Sequence, residues 1–169
     1  MITQEQMKQL IDVFTAHHIE NEKDDIGPNK PDAPFFNTLS SQETINETDY
    51  VEAAERLYKY KNTQMPHMMR VIGLDSIDIV TFLDGMKAIG ELAKRKQSVK
   101  SGLSTQWRRV FMANEKGQDV TDTAIPEIQR LMQEAIELGI PNEVLMQITS
   151  DAQERVKQSL QSEKESMTV

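Results

Sequence analysis

GLDSIDIVTFLDGMKAIGELAKRKQSVK, residues 73–100, is the longest apolar-periodic run in the chain and ends in its densest positive charge. Ile79, Leu83, Met86, Gly90 and Ala93 recur at spacings of four, three, four and three, one continuous face of a 3.6-residue helix, which Phe82 and Ile89 widen. Asp75 offers a short carboxylate to the free N–H groups of a first turn, with Ser76 at its first helical position and Asp78 favouring the positive end of the dipole. Gly85 and Gly90 each disfavour a helix interior by about 1 kcal/mol relative to Ala, which points to close approach of another helix or to a local bend. The face from Asp75 to Ala93 reads as core, and from Lys94 onward a positively charged surface begins.

Outward from this run the same period continues. Thr3 caps a helix whose Met7, Leu10, Ile11 and Phe14 form an i, i+3, i+4, i+7 stripe. Gly27-Pro28 ends it, and Pro28, Pro31 and Pro34 direct an extended segment over residues 26–41, in which Phe35-Phe36 packs down on the body or docks into a partner. Ser40 and Glu43 have capping-box spacing and Thr48 offers a second start, leading to a helix from Asp49 to about Asn62 with Tyr50, Ala54 and Leu57 on one line. Pro66 opens a short turn with Met68, Met69, Val71 and Ile72 as core candidates.

Past Lys100, Ser101-Gly102 reads as a break and Ser104 as the next cap, with Trp107, Val110 and Phe111 on the apolar side of a shorter helix. Thr123 and Pro126 mark another start, with Ile128, Leu131, Met132, Ala135 and Leu138 inward and Gly139 as the stop. Pro141-Asn142 then begins a last helix carrying Val144, Leu145, Ile148, Ala152 and Val156. Only residues 139–141 separate the two, which makes a tight C-terminal helical hairpin.

No segment alternates apolar and polar residues with β-branched enrichment. The expected fold is therefore all-α, a compact bundle of six or seven helices. Its organisation is an amphipathic helix over 1–25, an extended connection over 26–41, a helical core over 42–160 and a fraying polar tail over 161–169, one domain overall at 169 residues.

Composition narrows the chemistry. The chain has no cysteine, which excludes disulfides, thiolate metal sites and cysteine nucleophiles and makes the cytoplasm the expected location. The N-terminus lacks a basic and an apolar leader region, and no run approaches the roughly 20 apolar residues of a membrane span. His17 and His18 are adjacent, so on a helix they diverge by about 100° rather than converge on one ion, and they read as surface residues; no metal and no cofactor is expected. There is no glycine-rich phosphate loop, no GxSxG elbow and no HExxH, and no catalytic residue is nominated.

Charge is the positive signal. The net charge is −8, yet residues 92–114 contain Lys94, Arg95, Lys96, Lys100, Arg108 and Arg109 and no acidic residue, around the single Trp107. Those six cations and Trp107 are the candidate partner-binding residues. The competing structural role is a core-anchoring Trp107 with the cations paired to the acidic helices on either side.

Two short stretches carry resemblances. Ala135-x-x-Leu138-Gly139-Ile140 followed by a helix looks like the turn of a helix-turn-helix DNA reader, although NEVLMQITSDAQE places three acidic residues before Arg155, where phosphate repulsion opposes docking. Gly73-Leu74-Asp75-Ser76-Ile77-Asp78 resembles the modification site of acyl carrier proteins, and IPNEVLMQIT looks like the third-helix region of that family, though it lies more than 60 residues past Ser76 where the family leaves about 20. The resemblance implies a phosphopantetheine arm on Ser76 and makes it a candidate modification site. An aspartate cap followed by serine explains the same residues.

The expected function is that of a non-catalytic protein–protein interaction protein of adaptor, chaperone, inhibitor or mobile-element accessory type. It would bind an acidic protein partner, or itself as a homo-oligomer, through residues 94–109. Nucleic-acid binding through the same cations with Trp107 stacking is the alternative, a carrier modified at Ser76 the weaker one, and no membrane partner is expected.

Overall fold

The computed structural model describes residues 2–20 and 27–166, the side chains of 17–20 excepted. Among these residues it contains seven α-helices, two short 3-10 turns and no strand, the all-α bundle that the periodicity called for. The helices are α1 Gln4–Glu20, α2 Ala33–Ser40, α3 Tyr50–Leu57, α4 Met65–Val71, α5 Ile79–Glu115, α6 Thr121–Glu137 and α7 Asn142–Ser166. They gather into two compact units, Met1–Ala93 and Lys94–Val169.

In the first unit, Thr3 caps α1 reciprocally: its Oγ1 accepts from Gln6 N at 3.2 Å and its own N–H donates to Gln6 Oε1 at 2.9 Å. Met7, Leu10, Ile11 and Phe14 are all fully buried, as their spacing requires. The segment expected to be extended over 26–41 is helical from Ala33 to Ser40. Pro34 does not prevent this, because in a first turn its missing N–H has no intrahelical acceptor to lose. The turn of helix drives Phe36 and Leu39 inward, with Phe36 edge-on to Phe14 at 4.9 Å, so the Phe pair does pack on the body.

Ser40 ends α2 instead of opening a helix, donating to Asp12 Oδ1 at 2.9 Å, and Asn46 caps the 3-10 turn Glu47–Asp49 that feeds α3. In α4, Met65, Met68 and Met69 are buried, but Val71 points outward at 54% exposure. A single buried carboxylate ties α2 to α3: Asp32, 1% exposed, receives Arg56 Nη1 at 2.8 Å, Tyr60 Oη at 2.9 Å and Lys59 Nζ at 3.3 Å.

The long apolar run becomes α5, with two differences from its sequence reading. Asp78, not Asp75, is the cap, its Oδ2 accepting from Thr81 N at 2.9 Å and Thr81 Oγ1 at 3.0 Å; residues 74–77 form a turn closed by Ile77 N donating to Leu74 O. No break occurs at Ser101-Gly102, and the helix runs 37 residues. Gly102 lies at a close contact rather than in a turn, since a Cβ there would stand 3.1 Å from Leu131 Cδ1. Phe82, Leu83 and Met86 enter the core of the first unit, and Val99 and Leu103 that of the second.

In the second unit, α6 begins at Thr121, two residues before the expected start, because Asp119 Oδ1 accepts from Thr121 N at 2.9 Å. Ile128, Leu131 and Ala135 face Leu145 and Ile140 in one core. Gly139 takes φ +66°, and Ile140 N reaches back to Ala135 O at 2.9 Å, the left-handed ending that makes the hairpin tight. Helix α7 continues to Ser166, into the polar tail, with i, i+4 bonds from Gln158 to Glu154 and from Gln161 to Glu165; residues 167–169 lie outside the described residues.

Candidate interaction surface

All seven candidate partner-binding residues lie on α5, but helical rotation of about 100° per residue distributes them around it. Buried Val99 and Leu103 mark the inward side. Arg95 and Arg109, fourteen residues apart, sit on the flank next to α6: Arg95 Nε meets Glu134 Oε1 at 2.8 Å and Arg109 Nη2 donates to Thr123 Oγ1 at 3.1 Å. Glu134 also takes Arg130, which takes Glu127, and hydrogen bonding to Arg95 first and Arg130 second holds the Glu134 carboxyl below the usual range. These two arginines thus pair with a neighbouring helix.

Lys96, Lys100, Trp107 and Phe111 share the opposite flank at i, i+4, i+11 and i+15, each half-buried. Trp107 stacks on Phe111 with centroids 5.7 Å apart and planes 19° off parallel, and its inner edge packs on the second core. One indole face is thereby covered. Lys94 and Arg108 project from the side opposite Val99 and Leu103, and Arg108 reaches only Ser104 O at 3.4 Å. Among the described residues, Lys94, Lys96, Lys100 and Arg108 have no carboxylate within ion-pair distance.

The other sequence candidates fall elsewhere. Ser76 is exposed in the turn before α5, ahead of the Asp78 cap and off the helix start that the acyl-carrier resemblance gave it. The α6–α7 turn has the tightness of a helix-turn-helix, with exposed Glu143 in the first turn of the second helix. The side chains of His17 and His18 lie outside the described residues. Among those described, no group of three or more His, Asp or Glu could hold a metal ion, and no helix is long and apolar enough to cross a membrane.

Two clefts escaped the sequence reading, the first because it is lined from distant segments and the second because it forms only where one helix turns into the next. One of about 290 Å³ lies between α3 and α5, over Ala54, Tyr58 and Leu83, with Lys87 Nζ 3.3 Å from Glu55 Oε1. The other, about 410 Å³, opens at the α5–α6 turn over Val110, Asn114, Gln118, Asp119 and Thr121. Neither lining brings a histidine to a carboxylate or a hydroxyl.

Compared with known proteins, the chain matches no family model, no curated protein and no solved structure.

Proposed function

We propose that this chain is a non-catalytic interaction protein, of adaptor, chaperone, inhibitor or mobile-element accessory type, that engages an acidic protein surface through α5 between Lys94 and Arg109. One observation carries the reading: four of the six cations stay unpaired among the described residues, although α6 and α7 of the same unit are rich in carboxylates. Unpaired cations along one helix attract an oppositely charged surface and orient its approach. Within this reading, Lys94, Lys96, Lys100 and Arg108 contact the partner, Trp107 adds apolar area, and Arg95 and Arg109 keep α5 against α6. A cysteine-free chain suits a reducing compartment such as the cytoplasm.

Affinity capture from the source cell tests this, comparing the wild type with K94E/K96E/K100E. The wild type should retain an acidic protein that raised salt releases and the variant does not retain; equal capture by both overturns the proposal. A gel shift of single-stranded DNA or RNA at low salt, abolished by the same substitutions, would favour the nucleic-acid alternative instead.

A further inference from the structure

The unit Lys94–Val169 contains eleven basic and eleven acidic residues, but they are sorted: residues 94–115 hold six basic and one acidic, and residues 116–169 hold five basic and ten acidic. A unit of zero net charge whose signs lie on different helices is complementary to a copy of itself.

The acidic counterpart has a defined shape. Opposite its buried Leu145, Ala152 and Val156, α7 presents Glu143, Gln147, Asp151, Glu154 and Gln158, spaced four, four, three and four, all exposed. Gln147 donates to Asp151 at 2.6 Å and Gln158 to Glu154 at 3.2 Å, which lines the carboxylates up along the helix. No Lys or Arg among the described residues pairs with Glu143, Asp151 or Glu154. The row spans fifteen residue steps, about 22 Å at 1.5 Å per residue, the same length as the flank from Lys96 to Phe111. Among the described residues, no ion pair or hydrogen bond joins the two rows within one chain.

Resting on the interaction reading above, we infer that the acidic partner is a second copy of this chain, with Lys96, Lys100 and Trp107 of one copy lying antiparallel along the Glu143–Gln158 row of the other. The inferred assembly is a two-fold dimer, in which the reciprocal contact forms at the same time. The antiparallel setting brings the two lysines to the half of the row that holds Asp151 and Glu154. It also brings Trp107 level with Met146, which stands 65% exposed beside the row and supplies a flexible apolar contact to an aromatic ring. An unrelated acidic protein would have to reproduce this length and spacing, whereas a second copy carries both.

Light scattering and sedimentation on the full chain, with circular dichroism confirming that each variant is helical, decide the matter. The wild type should be dimeric at low salt and dissociate as salt rises, K96E/K100E and D151K/E154K should each be monomeric, and an equimolar mixture of the two variants should recover a dimer. A wild type that stays monomeric at low salt, a dimer indifferent to both substitutions, or a mixture that stays monomeric each overturns the self-pairing. If the chain is monomeric while K94E/K96E/K100E still loses a captured acidic protein, the interaction reading stands and only the second copy falls. If neither self-association nor capture responds to these lysines, both fall.

Discussion

Gly90 of α5 lies directly against the backbone of Val51: a Cβ built on Gly90 would stand 2.8 Å from Val51 N, 2.7 Å from Val51 Cγ2 and 3.0 Å from Glu47 O. Backbone atoms cannot move aside as the end of a side chain can. The sequence left close approach and local bending as equal explanations for this glycine, and the contact decides for close approach. G90A should therefore destabilise the first unit by about 1–3 kcal/mol, as overpacking does, despite the better helix propensity of alanine. At Gly85 the added methyl meets only the side chain of Ile2, its flexible Cδ1 end nearest, so G85A should be near neutral. Urea unfolding of the two variants side by side checks the contrast.

Asp32 gives the fold a defined pH dependence. Burial pushes its carboxyl up, but hydrogen bonds from Tyr60, Lys59 and Arg56 outweigh burial and hold it below the ordinary 3.8. A carboxyl depressed in the folded state contributes stability that is present above its unfolded value and is lost as pH falls through the folded one. D32N should cost about 1–3 kcal/mol at neutral pH, and its deficit relative to the wild type should narrow below about pH 4. Chemical denaturation at pH 7 and pH 3 reads both quantities; a deficit unchanged with pH would show that the charge of Asp32 is not what stabilises.

The two aspartates before α5 should separate cleanly. Asp78 accepts from the Thr81 backbone N–H, which is the main cause holding its carboxyl low, whereas Asp75 lies in the preceding turn. D78A should lower the melting temperature and D75A leave it in place. The reverse order would restore Asp75 as the cap.

Charge reversal should likewise divide neighbours in the basic stretch. K94E and K96E remove unpaired cations and should leave helicity and melting temperature unchanged. R95E places a carboxylate against Glu134 and breaks the link to Arg130 and Glu127, so it should lower the melting temperature measurably. Equal effects at all three positions would put Lys94 and Lys96 into the fold as well.

Local spacing made much of this legible. The stripe Met7, Leu10, Ile11, Phe14 and the pair Phe82, Leu83 with Met86 show their burial in the order of their letters, because helical period and apolarity act within a few residues. The prolines misdirected the reading of Ala33–Ser40 because Pro34 is compatible with both an extended chain and a first helical turn, and only packing of Phe36 on Phe14 selects between them. Ser101-Gly102 looked like a break for a related reason, since a glycine that ends a helix and one that admits Leu131 are the same letter.

By itself, then, the sequence determined an all-helical chain, most of its core residues, the C-terminal hairpin and the position of its one basic stretch. Tertiary structure decided what those charges face. Whether Arg95 meets Glu134, thirty-nine residues away, while Lys96 meets no carboxylate depends on how α5 is rotated against α6, and that rotation is set by Val99, Leu103 and Gly102 packing on the second core. The same holds for Asp32, whose partners at 56, 59 and 60 come together only when α2 is laid on α3. Helical period is a property of neighbours along the chain, whereas charge pairing is a property of neighbours in space.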